Sequence, residues 1–162
     1  MGPEIQLRAV TAEDQPFLLD LFASTRPEIA QLGWGEAEKQ AFIAMQFAMQ
    51  SRSYGMQFPE AEHSIILYDA ESAGRMIVNH GELRIQLTDI AVLPLYRGRG
   101  IAATVIERLQ EEAAEAKKPI ELTVDRSNSN ALDLYTKLGF EITGENQLHL
   151  SMRWTPNTTQ TA

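Results

Sequence analysis

Between residues 90 and 102 the chain reads Ile90-Ala91-Val92-Leu93-Pro94-Leu95-Tyr96-Arg97-Gly98-Arg99-Gly100-Ile101-Ala102. An apolar run stops at a proline and two glycines, and a helical pattern begins at once. Ile101, Val105, Ile106, Leu109, Ala113 and Ala116 carry that pattern, and Lys117, Lys118 and Pro119 end it. A strand handing over to a helix in this way calls for a sheet with helices on its faces. The glycines let the backbone turn tightly, so successive N–H groups can point into one concavity beside the positive end of the helix. Arg97 and Arg99 add positive charge there, in a chain whose net charge is −8. Each contact of a helix end with a charge is worth only about 0.3–1 kcal/mol, so several must act together. The concavity suits a pyrophosphate, although a glycine-rich turn with two solvated arginines would use the same residues.

The remaining elements fit one mixed sheet. Ile5 to Val10 alternates like a half-buried strand, and Thr11 to Asp14 reads as a capping box before the helical spacing of Phe17, Leu18, Leu21 and Phe22. Pro27 and Gly33-Trp34-Gly35 close that unit. A second helix is expected from Glu36 to about Ser53, then a loop of apolar content from Tyr54 to Pro59. Strands follow at His63–Tyr68, Arg75–Asn79 and Leu83–Val92, with turns at Asp69–Gly74 and Asn79–Gly81. Beyond the central helix come a buried strand (Ile120–Val124), a helix carrying Ala131, Leu134, Tyr135 and Leu138, and a capping Gly139. Two strands, near Phe140–Thr143 and Gln147–Trp154, complete a β-α-α-β-β-β-α-β-α-β-β order of the α/β (α+β mixed sheet) class. We expect one domain over residues 1–155 and a disordered polar tail over 156–162.

Composition narrows the chemistry. A chain of 162 residues should bury roughly 70% of its extended-chain surface, enough for a core without staples. The absence of cysteine removes disulfides, thiolate zinc sites and a cysteine nucleophile. Three histidines without paired spacing argue against a metal site. Neither a leader-like N-terminus nor an apolar run of about 20 residues is present, so the expectation is a cytoplasmic protein with no membrane partner. Net acidity argues against nucleic acid and mildly favours a cationic acceptor such as an amine.

One strand holds a further signal. Leu83, Ile85 and Leu87 are apolar at odd positions, whereas Ile90 and Val92 are apolar at even ones. A β-bulge near Thr88-Asp89 would produce that slip, as would an ordinary strand of mixed burial. Downstream, Asn128-x-x-Ala131-x-x-x-Tyr135-x-x-x-Gly139-Phe140 follows the next strand. Together with Arg97-x-x-Gly100-x-Ala102, this pattern resembles the GNAT N-acetyltransferases, whose pyrophosphate loop reads Gln/Arg-x-x-Gly-x-Gly/Ala. The resemblance covers about Arg75 to Trp154, and the first half of the chain fits only in its order of elements.

The resemblance implies an enzyme that moves an acetyl group from acetyl-CoA to the amine of a small acceptor, without a metal. It places the pyrophosphate on Arg97, Gly98, Arg99, Gly100, Ile101 and Ala102, and the pantetheine arm against the main chain of Ile90, Ala91 and Val92, in a bulge that splays two parallel strands. One N–H there would hold the developing oxyanion. Asn128 would touch the cofactor arm, although Asn also caps helices. Tyr135 would be the general acid: a thiolate must leave, and a phenol of pKa about 10 is protonated at neutral pH. Tyr135 also shares a face with Ala131, Leu134 and Leu138, as a core tyrosine would. The histone-modifying branch has a glutamate base where this chain has Gln86, so Asp89 and Glu82 are the nearest candidates. Each also reads as an ordinary strand or turn acid, and a water relay would serve. The acceptor pocket implied by the resemblance lies near the first helices, in a region that carries Trp34, Phe42, Met45, Met49, Tyr54, Met56 and Phe58. A homodimer is left open.

Two other functions fit some of these residues. Gly98-x-Gly100-x-x-Ala103 with Asp125 resembles a dinucleotide fingerprint, but Pro94 to Arg97 separate strand from glycines and too few βα units follow. A non-catalytic acyl-CoA-binding module is favoured by Gln86 and disfavoured by Tyr135.

Overall fold

The computed structural model describes residues 3–156. Seven strands form one sheet: β1 (Ile5–Ala9), β2 (Glu62–Tyr68), β3 (Glu71–His80), β4 (Ile85–Val92), β5 (Ile120–Asp125), β6 (Glu141–Glu145) and β7 (His149–Trp154). Their order is β1-β2-β3-β4-β5-β7-β6, and β4–β5 is parallel while the other pairs are antiparallel. The helices are α1 (Gln15–Ser24), α2 (Pro27–Ala30), α3 (Glu36–Gln57), α4 (Ile101–Ala116) and α5 (Ser129–Lys137). The mixed sheet expected from the sequence is therefore present. The tail lies, from residue 157 on, outside the described residues.

Strand alternation divides the core. In β2, Ile65 packs with Leu18, Phe22 and Phe47 of α1 and α3, while Ile66 joins the cluster built on α4. Ile101, Val105, Ile106, Leu109 and Ala113 form the buried stripe of α4, at the spacing read from the sequence. At its end Lys117 turns left-handed (φ 58°), two residues before Pro119. On β5, Ile120, Leu122 and Val124 point inward. The capping box at Thr11 is also present: Asp14 accepts from the Thr11 N–H at 2.8 Å and holds Arg8 with both oxygens.

Several boundaries differ from expectation. The apolar segment from Tyr54 is not a loop through its first residues: α3 continues to Gln57, and the Phe58 N–H still reaches Tyr54 O before Pro59 stops it. The β2–β3 turn is only Asp69-Ala70, both at positive φ (49° and 71°). Asp69 Oδ1 accepts from the Glu4 N–H at 2.8 Å, which anchors this tight turn to the start of β1. Proline opens the one-turn helix α2, where the sequence showed only punctuation. Strand β4 begins at Ile85, leaving Leu83 on an exposed bend, because Gly81 closes the turn onto Arg84 O.

Gly74 sits inside β3 rather than in the turn. A Cβ there would lie 2.2 Å from Ala91 O and 3.1 Å from Val92 Cα, so only glycine allows β4 to approach. Gly74→Ala is therefore expected to lose about 1–3 kcal/mol of stability, the usual cost of overpacking. Urea denaturation of both proteins measures it, and an unchanged midpoint would mean that β4 moves away freely.

Candidate active site

Strands β4 and β5 pair only at Ile85–Ile120 and Gln86–Glu121, then separate. The cause lies on the other side of β4, where Ile77 faces Asp89 and Val78 faces Leu87, leaving Thr88 as an extra residue. This is the bulge that the phase slip indicated, and it bends β4 away from β5. A cleft of about 960 Å³ opens between them, walled by Leu87 to Val92 on one side and Leu122 to Asp125 on the other. The Leu93 N–H donates to Ala73 O on the β3 side. Alternation then directs the N–H and C=O groups of Ile90 and Val92 to the unpaired edge.

Arg97 closes the lining at one end, and its Nε donates to Val92 O at 3.0 Å. From there the backbone passes through Gly98 (φ 78°) and Gly100 (φ 74°), a conformation that glycine adopts without strain. The six amides from Gly98 to Ala103 find no acceptor among the described residues. The space in front of both glycines is open, with no atom within 4 Å of an added Cβ. Arg99 is held over the rings of Tyr68 and Tyr96, at 5.3 and 5.6 Å. A run of unused amides at the start of a 16-residue helix can accept an anion. Ile101 itself is core, at 2% exposure.

Tyr135 enters the cleft from α5 with its ring against Phe140 and 8% of its surface exposed. Its hydroxyl makes no hydrogen bond among the described residues. Burial, helped by the charge of Asp89, pushes the phenol up to about 12. Asn128 caps α5, accepting from the Ala131 N–H at 3.2 Å, and also lines the cleft. Asp125 is held below the usual carboxylate range by the Ser127 hydroxyl and N–H.

The two candidate base residues separate. Glu82 lies exposed in the β3–β4 turn and does not line the cleft. Asp89 does, but it is not free: Arg75 Nε donates to its Oδ2 at 2.8 Å. Arg75 is 7% exposed and also donates from Nη2 to Gln50 Oε1 at 2.7 Å. Sequence reasoning missed Arg75 and Gln50. The only available signal was a lone charge within the apolar stretch of β3, which cannot say what it faces.

At the far end, α1, α2 and α3 bring Arg26, Glu28, Gln50 and Tyr54 to the cleft. Of the aromatic and Met-rich set expected there, only Tyr54 is present. Trp34 and Phe42 pack on each other at 5.3 Å, Met45 and Met49 line a separate groove beside Arg26 and Gln46, and Met56 is 78% exposed. The amphipathic pattern of α3 is too weak to have told these faces apart.

A family model described as an acetyltransferase (GNAT) domain matches residues 32–159. The thialysine N-epsilon-acetyltransferase of Mus musculus is 32% identical over 101 residues, covering 56% of this chain and 59% of that relative. The chain thus aligns with about three-fifths of that relative's length. The PaiA N-acetyltransferase of Thermoplasma acidophilum, solved with coenzyme A, superposes with a TM-score of 0.71 at 16% identity, covering 94% of this chain and 99% of that one. A spermidine N-acetyltransferase SpeG chimera of Vibrio cholerae and hSSAT gives 0.63 at 20% identity, covering 93% and 95%. At such identities the structural likenesses show the fold.

Proposed function

The chain belongs to the GNAT acetyltransferase family, and on that premise we propose that it moves the acetyl group of acetyl-CoA onto a primary amine of a small acceptor, with both bound at once. The observation that carries this reading is the splay of β4 from β5. It exposes main-chain donors along a cleft that begins at Arg97 and contains the hydroxyl of Tyr135. Acetyl-CoA supplies an acyl carbon activated as a thioester. The amides from Gly98 to Ala103, with Arg97 and Arg99, fit its pyrophosphate. Ile90 and Val92 offer main-chain hydrogen bonds to the arm, whereas Ala91, expected from the sequence to do the same, turns its groups to Arg75 of β3. Asn128 stands on the opposite wall.

The acceptor nitrogen bonds to the acyl carbon, the carbon–sulfur bond breaks, and a β4 N–H holds the charge that develops on oxygen. Tyr135 gives its proton to the departing sulfur and regains one, through water, as the nitrogen of the new amide loses its second proton. A lysine-like amine, of pKa about 10.4, must also lose a proton. Of the carboxylates weighed for this, Asp89 alone borders the cleft, and its Oδ1 is left free by Arg75. We assign the incoming ammonium to that oxygen, with water carrying the proton away. The mouse relative and the SpeG chimera are both named for small amines, which supports a small acceptor.

Thermal melts test the cofactor. At a concentration 100 times its Kd, CoA should stabilise the protein by about 2.7 kcal/mol, raising Tm roughly 5–10 °C. NAD and NADP should leave it unchanged, and the opposite pattern would revive a dinucleotide function. Thiol release from acetyl-CoA over an amine panel tests transfer. Turnover of an N-terminal peptide but of no small amine would move the acceptor to proteins.

A further inference from the structure

Resting on that reading, we propose that the acceptor is an amine carrying a carboxylate, which Arg26 and the unused edge of Arg75 bind. The side chains at the α1–α3 end of the cleft are rich in hydrogen-bond donors that the fold leaves unspent. Arg75 commits Nε to Asp89 and Nη2 to Gln50, while its Nη1 makes no hydrogen bond among the described residues. Gln50 accepts through Oε1, and its amide nitrogen donates to no acceptor among the described residues. Arg26 is laid over the Phe22 ring at 4.9 Å and reaches only the neighbouring Thr25, at 3.3 and 3.5 Å. No carboxylate pairs with it among the described residues.

The hydroxyls beside them are already used. Ser24 Oγ donates to Leu21 O at 2.6 Å and Thr25 Oγ1 to Phe22 O at 2.7 Å, so their protons serve α1. Tyr54 lines the same cleft as Asp89, Arg75 and Arg26. Against these donors stand the free oxygen of Asp89, the exposed Glu28, and Asp125, whose Oδ1 already accepts from the Ser127 hydroxyl and N–H. Such a site is unbalanced for a polyamine, whose several ammonium groups need several acceptors. It suits a molecule with one ammonium for Asp89 and one planar two-oxygen anion for the guanidinium groups.

The test compares ω-amino acids, from 4-aminobutanoate to 8-aminooctanoate, with n-alkylamines of matched length, using acetyl-CoA and the whole protein. At the best chain length, kcat/KM for the amino acid should exceed that of the matched amine by about tenfold or more, the effect of one charge-assisted hydrogen bond. Arg26→Gln should collapse that ratio, and Arg75→Lys should lower it while keeping a charge beside Asp89. Spermidine should be a poorer acceptor than the best amino acid. A ratio of one or less at every length, or a ratio unmoved by both variants, overturns the proposal. Calorimetry on the CoA-loaded protein separates the layers. If CoA binds but no amino acid binds or reacts, the carboxylate site falls and the acetyl-CoA reading stands. If CoA itself does not bind, both fall.

Discussion

Replacing Tyr135 with phenylalanine is expected to lower kcat about 10²–10⁴-fold, the range over which a positioned acid acts, with little change in the Kd for CoA. The substitution removes one hydroxyl that has no partner among the described residues and keeps the ring that packs on Phe140. Stability should therefore hold. Because the phenol is pushed up to about 12, it stays protonated across the range in which acceptor amines become neutral. Wild-type kcat/KM should thus climb with pH toward the amine pKa of about 10.4 without an earlier falling limb. A tyrosine near its ordinary value would ionise in that window and bend the profile down. The measurements are kcat, the CoA dissociation constant, a melting curve and a pH profile for both proteins. Unchanged kcat in a folded variant would move the acid role to water or another group. A fall in Tm alone would return Tyr135 to the core.

The Arg97 end of the cleft was largely legible in the sequence, and the Arg26 end was not. The bulge appears as a parity change between Leu87 and Ile90, because strand side chains alternate strictly and one extra residue must show. The Arg97–Ala102 loop and the start of α5 are local: glycine conformation, an Asn cap and a helix N-terminus are fixed by neighbours in the chain. The Arg75–Asp89–Gln50 network joins residues 14 and 25 positions apart, through a bulge register and a helix docked over the sheet. Nothing in their spacing announces it. Composition pointed instead to the methionines of α3, but Met45, Met49 and Met56 are exposed, since hydrophobicity alone does not say which face of a helix meets the sheet. Gly74 was misplaced for a related reason. A glycine needed for close approach and one needed for a turn look alike until the register is known.

Gly100→Val should weaken CoA binding at least about 100-fold, the loss of two charge-assisted hydrogen bonds of about 1.5 kcal/mol each. Gly100 stands at φ 74° directly before α4, where a β-branched residue is strained by its Cβ against the backbone. Relief requires a rotation that turns the amides of Gly100 and Ile101 out of the concavity. A side chain that kept the native backbone would instead enter the open space before the glycine, where the phosphates are expected. Either route removes donors from the anion, while the core stripe from Ile101 to Ala113 keeps its packing. Gly98→Ala, at φ 78° but farther from the helix, should give a smaller loss and serves as the graded control. Calorimetric Kd values, with melting curves to show that each variant is folded, decide the matter. Equal affinity of wild type and Gly100→Val would mean that the pyrophosphate is held elsewhere, and that the unused amides between Gly98 and Ala103 face only water.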